Sequence, residues 1–306
     1  MPEVYSYYFP ETAAVIAELR QHADFDSWFS DAWLGRENSL PEEFLSTWRA
    51  WSGLDLRAFA HAYPCNGSAE AIRELVRGET LIVFRGEYEG YAAIAAARGM
   101  RVLRIDREDA RAQLDGLSPA EDAVFCISEP SALDGEHWSG LDGLLDGLHP
   151  RFPRLRVILD LCYVGLVREP HQPRLDWPAV ETVIFSLSKP FGLYRWRVGG
   201  LFSRKDQPLF AYNRWFNSLF ALKAANGLMT RYAAGDLATR YAGQQQSLVD
   251  ALRSRGAVPN DTVPSNVLLL ARSATAHADA RYNRAAGHSR YCLTPGLSKE
   301  ITKGGQ

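Results

Sequence analysis

Short apolar runs alternate with longer amphipathic stretches from about residue 60 onward. The apolar runs occupy residues 81–85, 101–105, 123–127, 156–160, 182–186 and 198–202. Runs this short and continuous are typical of strands buried on both faces of a mostly parallel sheet. The intervening stretches 69–77, 90–98 and 138–148 have the composition of helices. This alternation predicts an α/β domain with three layers, in which helices flank a mostly parallel central sheet.

The pattern differs on either side of this region. Residues 1–59 form an aromatic-rich segment that we predict to be helical, with Trp28, Trp33, Trp48 and Trp51 available for packing or for an interface. We assign residues 60–205 to the large α/β domain. Residues 206–306 are predicted to comprise linking helices within 208–255 and a small, short α+β domain with strand candidates at 266–271 and 290–294.

Composition and charge narrow the classes of function. The chain has 306 residues, of which 46% are hydrophobic, and its 34 basic and 36 acidic side chains give a formal net charge of −2. This balance disfavours a broad nucleic-acid footprint, which needs a basic face. An apolar run of about 18 residues would indicate a membrane span, and none is found in the sequence. The N-terminus lacks a basic start followed by an apolar stretch. We therefore expect neither a membrane partner nor a signal peptide, and a cytoplasmic location.

Cysteine and histidine give no metal-binding pattern. Cys65, Cys126, Cys162 and Cys292 are far apart, and the seven histidines are equally scattered. Because zinc sites need closely spaced ligands, we expect no metal centre. The four cysteines are interpreted as small buried hydrophobic residues.

Three segments carry candidate chemistry. In residues 186–200 a strand ends at Ser186, and Ser188, Lys189 and Arg197 follow it. A lysine at the carboxyl end of a sheet strand is well placed to react, and hydroxyl groups with an arginine suit a phosphate. The alternative for Lys189 is a structural or surface lysine.

The other two segments add a carboxylate and an anion site. Strand 156–160 ends in Asp160, with Tyr163 three residues later. A carboxylate there is a turn or cap residue, or the counter-ion of a protonated ring nitrogen. Asn66, Gly67 and Ser68 precede an amphipathic helix, whose first N–H groups can bind a phosphate or can form an ordinary capping turn.

Together these motifs, in this order, resemble the fold-type I pyridoxal-phosphate enzymes, and most of all the class I/II aminotransferases. The resemblance rests on NGSAEAI, EYEGY, a D-x-x-Y motif and S-x-S-K with an arginine eight residues on, and it covers roughly residues 60–205. It implies the fold-type I architecture, pyridoxal 5'-phosphate as cofactor, and a homodimer. Segments 5–51 and 212–220 are candidate interface pieces, with intrachain core as the alternative.

The resemblance implies a role for each matching residue. Lys189 would be the Schiff-base lysine, Asp160 would keep the pyridine nitrogen protonated, and Tyr163 would hydrogen-bond the phenolic oxygen. Tyr88 would stack on the ring, with ordinary packing as the alternative. The remaining cofactor contacts would come from the residues of the phosphate motifs, namely Asn66, Gly67, Ser68, Ala69, Ser186, Ser188 and Arg197. Burial beside Arg197 would lower the pKa of Lys189.

Two positions depart from the family pattern. Where relatives have an asparagine before a proline, this chain has Glu129, whose carboxylate would have to be protonated or turned away from the phenolic oxygen. The alternative is a shifted register in which Ser128 takes that role. For the substrate α-carboxylate the tail offers Arg290, while Cys292 stands near the usual arginine position. Arg290 shares a strand face with Cys292 and could reach the site, or it could be a solvated surface arginine.

The expected function is transamination of an amino acid through Lys189, in specialised amino-acid or secondary-metabolite biosynthesis. The same residues also support elimination or replacement at Cβ or Cγ, cyclisation or decarboxylation, since the cofactor supplies the difficult chemistry. A non-catalytic ligand-binding α/β protein is the remaining alternative.

Overall fold

The computed structural model describes residues 4–24, 39–170, 172–285 and 287–304. Within these ranges a seven-stranded sheet extends from His61 to Ser203. Its strands are β1 His61–Cys65, β2 Thr80–Phe84, β3 Arg101–Ile105, β4 Ala123–Ser128, β5 Arg156–Asp160, β6 Val180–Ser186 and β7 Gly199–Ser203. Each of the six predicted apolar runs lies within two residues of one of these strands. β2, β4, β5 and β6 form because their continuous apolar side chains are buried on both faces, whereas β3, at the edge of the sheet, is partly exposed.

The sheet is mostly parallel, as predicted. Its spatial order is β1-β7-β6-β5-β4-β2-β3. The five strands from β3 to β6 pair in parallel. β7 runs antiparallel to both β6 and β1. The carboxyl ends of β1, β2, β4, β5 and β6 therefore meet at one edge, where α/β sheets bind their ligands.

Strand β1 was not among the predicted strands. Its sequence, HAYPC, is not a continuous apolar run, and Pro64 lies inside it. The position explains why the proline is tolerated: β1 is an edge strand that pairs with β7 alone. Proline has no backbone N–H to donate to a neighbouring strand, so strands that contain a proline occur mainly at sheet edges.

Helices cover the sheet and link it to the rest of the chain. Those named here are α1 Pro10–His22, α2 Leu40–Ser52, α3 Ser68–Leu75, α4 Glu89–Ala97, α5 Ala110–Leu114, α6 Leu141–Asp146, α7 Leu148–Arg151, α8 Leu219–Arg231, α9 Asp236–Arg240, α10 Ala242–Ser254 and α11 Thr294–Gly304. The predicted helix 138–148 is divided between α6 and α7. The helical stretch 208–255 begins with a 3-10 helix, Pro208–Arg214, and continues as α8, α9 and α10.

A second, antiparallel sheet contains three short strands in the order β10-β9-β8: β8 Val263–Pro264, β9 Leu270–Ser273 and β10 Ser289–Cys292. The strand predicted at 290–294 corresponds to β10. The strand predicted at 266–271 is displaced, since residues 266–269 are buried without joining a strand ladder and β9 starts at Leu270. Backbone contacts between this part and the connection from β5 to β6, such as Leu268 N–H to Leu166 O at 3.0 Å, explain that burial.

Two of the four tryptophans considered for an interface belong to the intrachain core. Trp48 is buried against the sheet, with its ring stacked 3.9 Å from that of Phe185. The Trp51 indole N–H donates to the carbonyl of Tyr232 at 2.8 Å. Trp28 and Trp33 lie outside the described residues. The N-terminal helix α2 thus contributes to the core of the large sheet.

Replacing Trp48 by alanine is expected to lower the free energy of unfolding by about 3 to 5 kcal/mol, because it removes a large ring and leaves a cavity between α2 and the sheet. Trp48→Phe keeps an aromatic ring against Phe185 and should lower the free energy of unfolding by less. Urea unfolding of both variants measures the difference. Equal stability of Trp48→Ala and the wild type would contradict this packing.

The boundaries predicted near residues 60 and 205 agree in position with the first and last strands of the large sheet, but the division into domains stays a prediction. Among the residues that the structure describes, no helix combines the length and apolar character needed to cross a membrane.

Candidate functional site

The predicted site residues converge at the carboxyl edge of the large sheet. Ser128 and Asp160 end the neighbouring parallel strands β4 and β5, and their Cα atoms are paired in register. Ser186 ends β6, next to β5, and the loop from β6 to β7 carries Lys189 and Arg197. Because parallel strands end together, residues distant in sequence are brought to one place.

The phosphate motif forms a narrow backbone cup. Gly199 is paired with both Cys65 and Ser186, so the end of β1, the end of β6 and the start of β7 lie side by side. Gly67 follows with a φ of +76° and precedes helix α3. A Cβ on Gly199 would lie 2.4 Å from the Phe185 carbonyl oxygen and 3.2 Å from the Gly67 Cα. The cup therefore needs glycine at both positions.

Arg197 and two serines line this cup. The Arg197 guanidinium donates to the Asn66 carbonyl at 3.0 Å and to the Tyr194 carbonyl at 3.3 Å. The Ser186 hydroxyl donates to the Ser188 hydroxyl at 2.8 Å. A cation, hydroxyl groups and the start of α3, where Ser68 and Ala69 lie, surround one small space. This set of donors suits a phosphate dianion.

Hydrogen bonds to Glu70 fix the position of Asn66. Its backbone N–H donates to the Glu70 carboxylate at 2.6 Å, and the Asn213 amide donates to the same oxygen at 3.1 Å. The Asn66 side-chain amide also reaches Glu70, at 3.2 Å. The side chain of Asn66 thus stabilises the turn, while its backbone carbonyl accepts a hydrogen bond from Arg197.

Gly67→Ala is expected to raise the Kd for pyridoxal 5'-phosphate by about tenfold or more, since about 1 to 2 kcal/mol of left-handed strain is added and Arg197 is displaced. A Cβ there would lie 2.6 Å from Arg197 Nη2. Gly243→Ala is the matched control, because a Cβ at Gly243 meets nothing within 4 Å. Fluorescence titration with the cofactor measures both. Unchanged affinity in Gly67→Ala would contradict the assignment of this cup as the phosphate site.

Lys189 presents an amine in a buried setting. Its ammonium group donates to the backbone carbonyl of Val4. The pKa of Lys189 is lowered, chiefly by burial and also by the Arg290 cation. The sequence points to Arg197 as the cation responsible, but in the structure that cation is Arg290. A lowered pKa increases the fraction of neutral amine, the form that acts as nucleophile or base.

The N-terminal residues before α1 cover this lysine. The Tyr5 N–H donates to the Cys292 thiol at 3.3 Å, and the Thr294 hydroxyl donates to the Tyr5 carbonyl at 2.7 Å. Gly192 lies so close that a Cβ would be 2.0 Å from the Tyr7 carbonyl oxygen. Residues 4–7 therefore connect the lysine loop to β10 and shield the amine from solvent.

Asp160 is a buried carboxylate with several donors. The Tyr91 hydroxyl donates to Asp160 Oδ2 at 2.7 Å, and the Cys162 N–H donates to Oδ1 at 3.1 Å. Burial raises the pKa of Asp160 to about 6, while these hydrogen bonds and the Lys189 charge oppose the increase. Such a carboxylate is suited to a cationic ring N–H, which would lower its pKa again.

Tyr91 was missed by the sequence analysis. It lies three residues after Tyr88, on the first turn of α4, and is fully buried. No spacing signal was available, because Tyr88 is the extended residue that precedes α4 and the two tyrosines do not share a helix face. The role of Tyr91 in holding Asp160 could not be read without knowing that its hydroxyl reaches the end of β5.

Tyr88 and Tyr163 lie near Asp160. Tyr88 is 52% exposed, and its ring packs edge-on against that of Tyr91, with the ring centroids 5.3 Å apart. Because the Tyr91 hydroxyl donates to Asp160, the Tyr88 ring lies at the Asp160 end of the site. Tyr163 is buried, and burial raises its pKa well above the ordinary value while the Arg290 charge opposes the increase. Contact of the two rings with a cofactor stays a prediction.

The stability of the cofactor-free protein is expected to fall as pH rises from about 4 to 7. Folding raises the pKa of Asp160 from 3.8 to about 6 and that of Glu87 from 4.5 to about 7, both mainly through burial. The folded state thus keeps protons that the unfolded state has released, and this stabilisation, about 2 to 3 kcal/mol for a shift of two units, disappears with increasing pH. Thermal unfolding of Asp160→Asn should show a shallower dependence. Identical slopes would contradict the raised pKa.

Glu129 and Ser128, which lie where the sequence departs from the family pattern, both have hydrogen-bond partners within the protein. The Glu129 carboxylate pairs with the His137 imidazole. The Ser128 hydroxyl donates to Glu87 Oε2 at 2.6 Å. Glu129 is thus turned toward His137, and its relation to the phenolic oxygen of a bound cofactor stays a prediction. The direction of Ser128 toward Glu87 was not foreseen, because Glu87 was not recognised as a site residue.

Arg290 is buried in the site and is not a solvated surface residue. Its guanidinium donates to the Ala132 carbonyl, and it interacts electrostatically with Tyr163, Cys292 and Glu87. Cys65, Cys126 and Cys292 are buried, as the sequence predicts for small hydrophobic residues, whereas Cys162 is only partly buried.

The donor set fits pyridoxal 5'-phosphate. The glycine cup, which a Cβ would fill, suits the phosphate, and the buried amine of Lys189 suits the aldehyde. Asp160 suits the ring nitrogen, and the half-exposed Tyr88 offers an aromatic face near it.

Solved structures share this fold. Three similar proteins are the histidinol-phosphate aminotransferase of Clostridium acetobutylicum (13% identity, TM-score 0.71), the N-succinyldiaminopimelate aminotransferase of Mycobacterium tuberculosis (15%, 0.67) and a C-S lyase of Staphylococcus hominis (15%, 0.67). The alignments cover 99%, 97% and 97% of this chain, and 95%, 90% and 88% of those chains, respectively. The lyase structure is PLP-bound. No curated protein sequence matches this chain.

A family model settles the classification. The model for aminotransferase class I and II matches residues 64–256, which include the glycine cup, Asp160, Lys189 and Arg197. The resemblance found in the sequence and the fold-type I architecture are thereby confirmed, together with pyridoxal 5'-phosphate as the family's cofactor. This chain belongs to the class I and II aminotransferases, a family of pyridoxal-phosphate-dependent enzymes.

Proposed function

We propose that this enzyme transfers the amino group of an amino acid to a keto acid, with Lys189 as its reactive lysine. The observation that carries the proposal is the convergence of Lys189, Asp160 and the glycine cup at one edge of the sheet. Specialised amino-acid or secondary-metabolite biosynthesis is the proposed setting, and the cytoplasm is the proposed compartment. Four free cysteines support that compartment.

Pyridoxal 5'-phosphate, when bound, supplies the carbonyl group that exchanges with amines and a ring that stabilises negative charge on the substrate α carbon. Residues of the cup (Gly67, Ser68, Ala69, Ser186, Ser188 and Arg197) would hold the phosphate. Asp160 would hold a proton on the ring nitrogen, and Tyr163 would donate to the phenolic oxygen. Tyr88 would cover one ring face.

Lys189 would carry the proton that the reaction moves. Its neutral amine accepts the proton from the substrate α carbon and returns it at a neighbouring carbon, a general base and acid in turn. Arg290 would bind the substrate carboxylate and fix the orientation of the α carbon. The N-terminal residues 4–7 would limit access of water to the amine.

A survey of amino acids tests this proposal. The cofactor-loaded enzyme is mixed with a panel of amino acids, and absorbance, keto acid and ammonia are followed. Transamination is supported by release of a keto acid with conversion of the cofactor to its amine form. Release of ammonia or sulfide without that form would instead support elimination, the second candidate, which the fold shared with a C-S lyase favours.

The proposed assembly is a homodimer. Tyr212, Trp215 and Phe216 are 69%, 61% and 72% exposed, and they surround Asn213, which is buried and donates to the Pro64 carbonyl at 3.0 Å beside the cup. An exposed aromatic patch of this kind marks an interface. Sedimentation velocity of the loaded enzyme should give a dimer, and Trp215→Asp with Phe216→Asp should give a monomer. A wild-type monomer with full cofactor occupancy would exclude this assembly.

A further inference from the structure

Glu87 is a buried carboxylate that the proposed mechanism does not use. It follows the end of β2 and directly precedes Tyr88. The Ser128 hydroxyl donates to its Oε2 at 2.6 Å, and the Ser128 N–H and the Ser131 hydroxyl donate to Oε1 at 3.4 and 3.5 Å. Both carboxylate oxygens are thus acceptors, as the ionised form requires.

Ala132 lies between Glu87 and Arg290. The Arg290 guanidinium donates to the Ala132 carbonyl. The Ala132 N–H donates to the Ser128 hydroxyl at 2.6 Å, and that hydroxyl donates to Glu87. These contacts place the guanidinium and the carboxylate on either side of one residue. Because both groups are buried, little water screens the attraction between their opposite charges.

The surroundings of Glu87 support this pairing. Burial raises the pKa of Glu87 to about 7, and its hydrogen bonds and the Arg107 charge oppose the increase. Arg107 itself is ion-paired with Asp134 at 3.0 Å. The titratable and charged groups that interact with Glu87 are Arg107, Arg290, Tyr91, Tyr163, Cys126 and Cys162. Of the two cations, Arg107 thus has a carboxylate partner of its own, and Arg290 is the one placed next to Glu87 through Ala132.

We propose that Glu87 is the buried counter-charge of Arg290 and that it takes up a proton from solvent when a carboxylate binds at Arg290. This inference rests on the proposed role of Arg290 in carboxylate binding. A substrate carboxylate brings a second negative charge to a guanidinium that Glu87 already balances. Protonation of Glu87 to the neutral acid removes the excess charge. Glu87 is therefore a positioning and charge-balancing residue, and substrate binding becomes linked to pH.

The first test measures the titration of Glu87 itself. Carbon-13-labelled glutamate carboxyls are followed by NMR, and the Glu87 signal is the one absent from Glu87→Gln. Arg290→Met, which removes the cation, should move the midpoint upward by about one pH unit or more, whereas Arg290→Lys keeps the charge and should move it less. An unchanged midpoint in Arg290→Met would overturn the pairing.

Should Arg290→Met fail to fold, calorimetry of the wild-type holoenzyme provides the second test. Isocaproate and hydrocinnamate, acids without an amino group, are titrated in buffers of different ionisation enthalpy. Binding should be accompanied by net proton uptake near pH 7 and should weaken as pH rises. Glu87→Gln should lose most of the proton uptake. Because this variant retains Asp160, any uptake that remains reports protonation elsewhere in the site.

The outcomes separate the two proposals. Equal proton uptake in the wild type and Glu87→Gln would overturn the role of Glu87 while leaving carboxylate binding intact. Absence of binding, or binding that Arg290→Lys does not weaken, would overturn the role of Arg290 and with it this inference. Transamination through Lys189 would remain testable by the amino-acid survey.

Discussion

Replacing Lys189 by alanine is expected to lower kcat by about 10²- to 10⁴-fold or more, because the variant loses the general base that moves the α proton. It also loses the amine that links to the cofactor. Keto-acid release measures the rate, and mass spectrometry of borohydride-treated protein locates the link. Added methylamine should restore part of the rate, since a free amine can carry the proton.

A matched control is available in the same chain. Lys205 lies on the surface beside β7 and is ion-paired with Glu181 at 2.6 Å. Lys205→Ala should retain both the activity and the borohydride-stable link. If Lys189→Ala kept the link and Lys205→Ala lost it, the assignment of the reactive lysine would be wrong.

Replacing Asp160 by asparagine is expected to lower kcat by about 10²- to 10³-fold, the cost of removing one well-placed electrostatic partner of the reacting system. The amide keeps the size of the side chain but has no charge to hold a proton on the ring nitrogen. Steady-state kinetics gives the rate. The absorbance of the bound cofactor, titrated against pH, reports whether the ring nitrogen has lost its proton.

Tyr91→Phe separates the effect of the Asp160 charge from the effect of the Asp160 orientation. It removes one hydrogen bond to Asp160 but leaves the carboxylate, so we expect a loss of about fivefold to tenfold, equivalent to roughly 1 kcal/mol. Equal losses in Asp160→Asn and Tyr91→Phe would mean that the orientation of Asp160, and not its charge, determines the rate.

The large sheet could be predicted from sequence because its strands are continuous apolar runs that have no other way to be buried. The exceptions have physical reasons. β1 contains Pro64 and is stable only as the outer neighbour of β7. Residues 266–269 are as apolar as a strand, yet they are buried by contact with the backbone near Leu166. In both cases a tertiary neighbour, invisible in the local pattern, determined the structure.

The site residues whose motifs lie at strand ends, such as Asp160, Lys189 and Gly67, could be proposed from sequence. The residues that surround them could not. Glu87 and Tyr91 carry no motif of their own, and their partners Ser128 and Asp160 are 41 and 69 positions away. The direction of Glu129 depended on the position of His137. Such pairings follow from strand order, which the local pattern does not contain.

The site is assembled from distant parts of the chain, and this affects how the protein folds. The Arg197 contact to Asn66 spans 131 positions, and the Arg290 contact to Ala132 spans 158. Contacts so far apart in sequence carry a high entropic cost of loop closure and form late. The cup therefore takes shape only once β1 lies beside β7. We expect cofactor binding to follow the assembly of the large sheet.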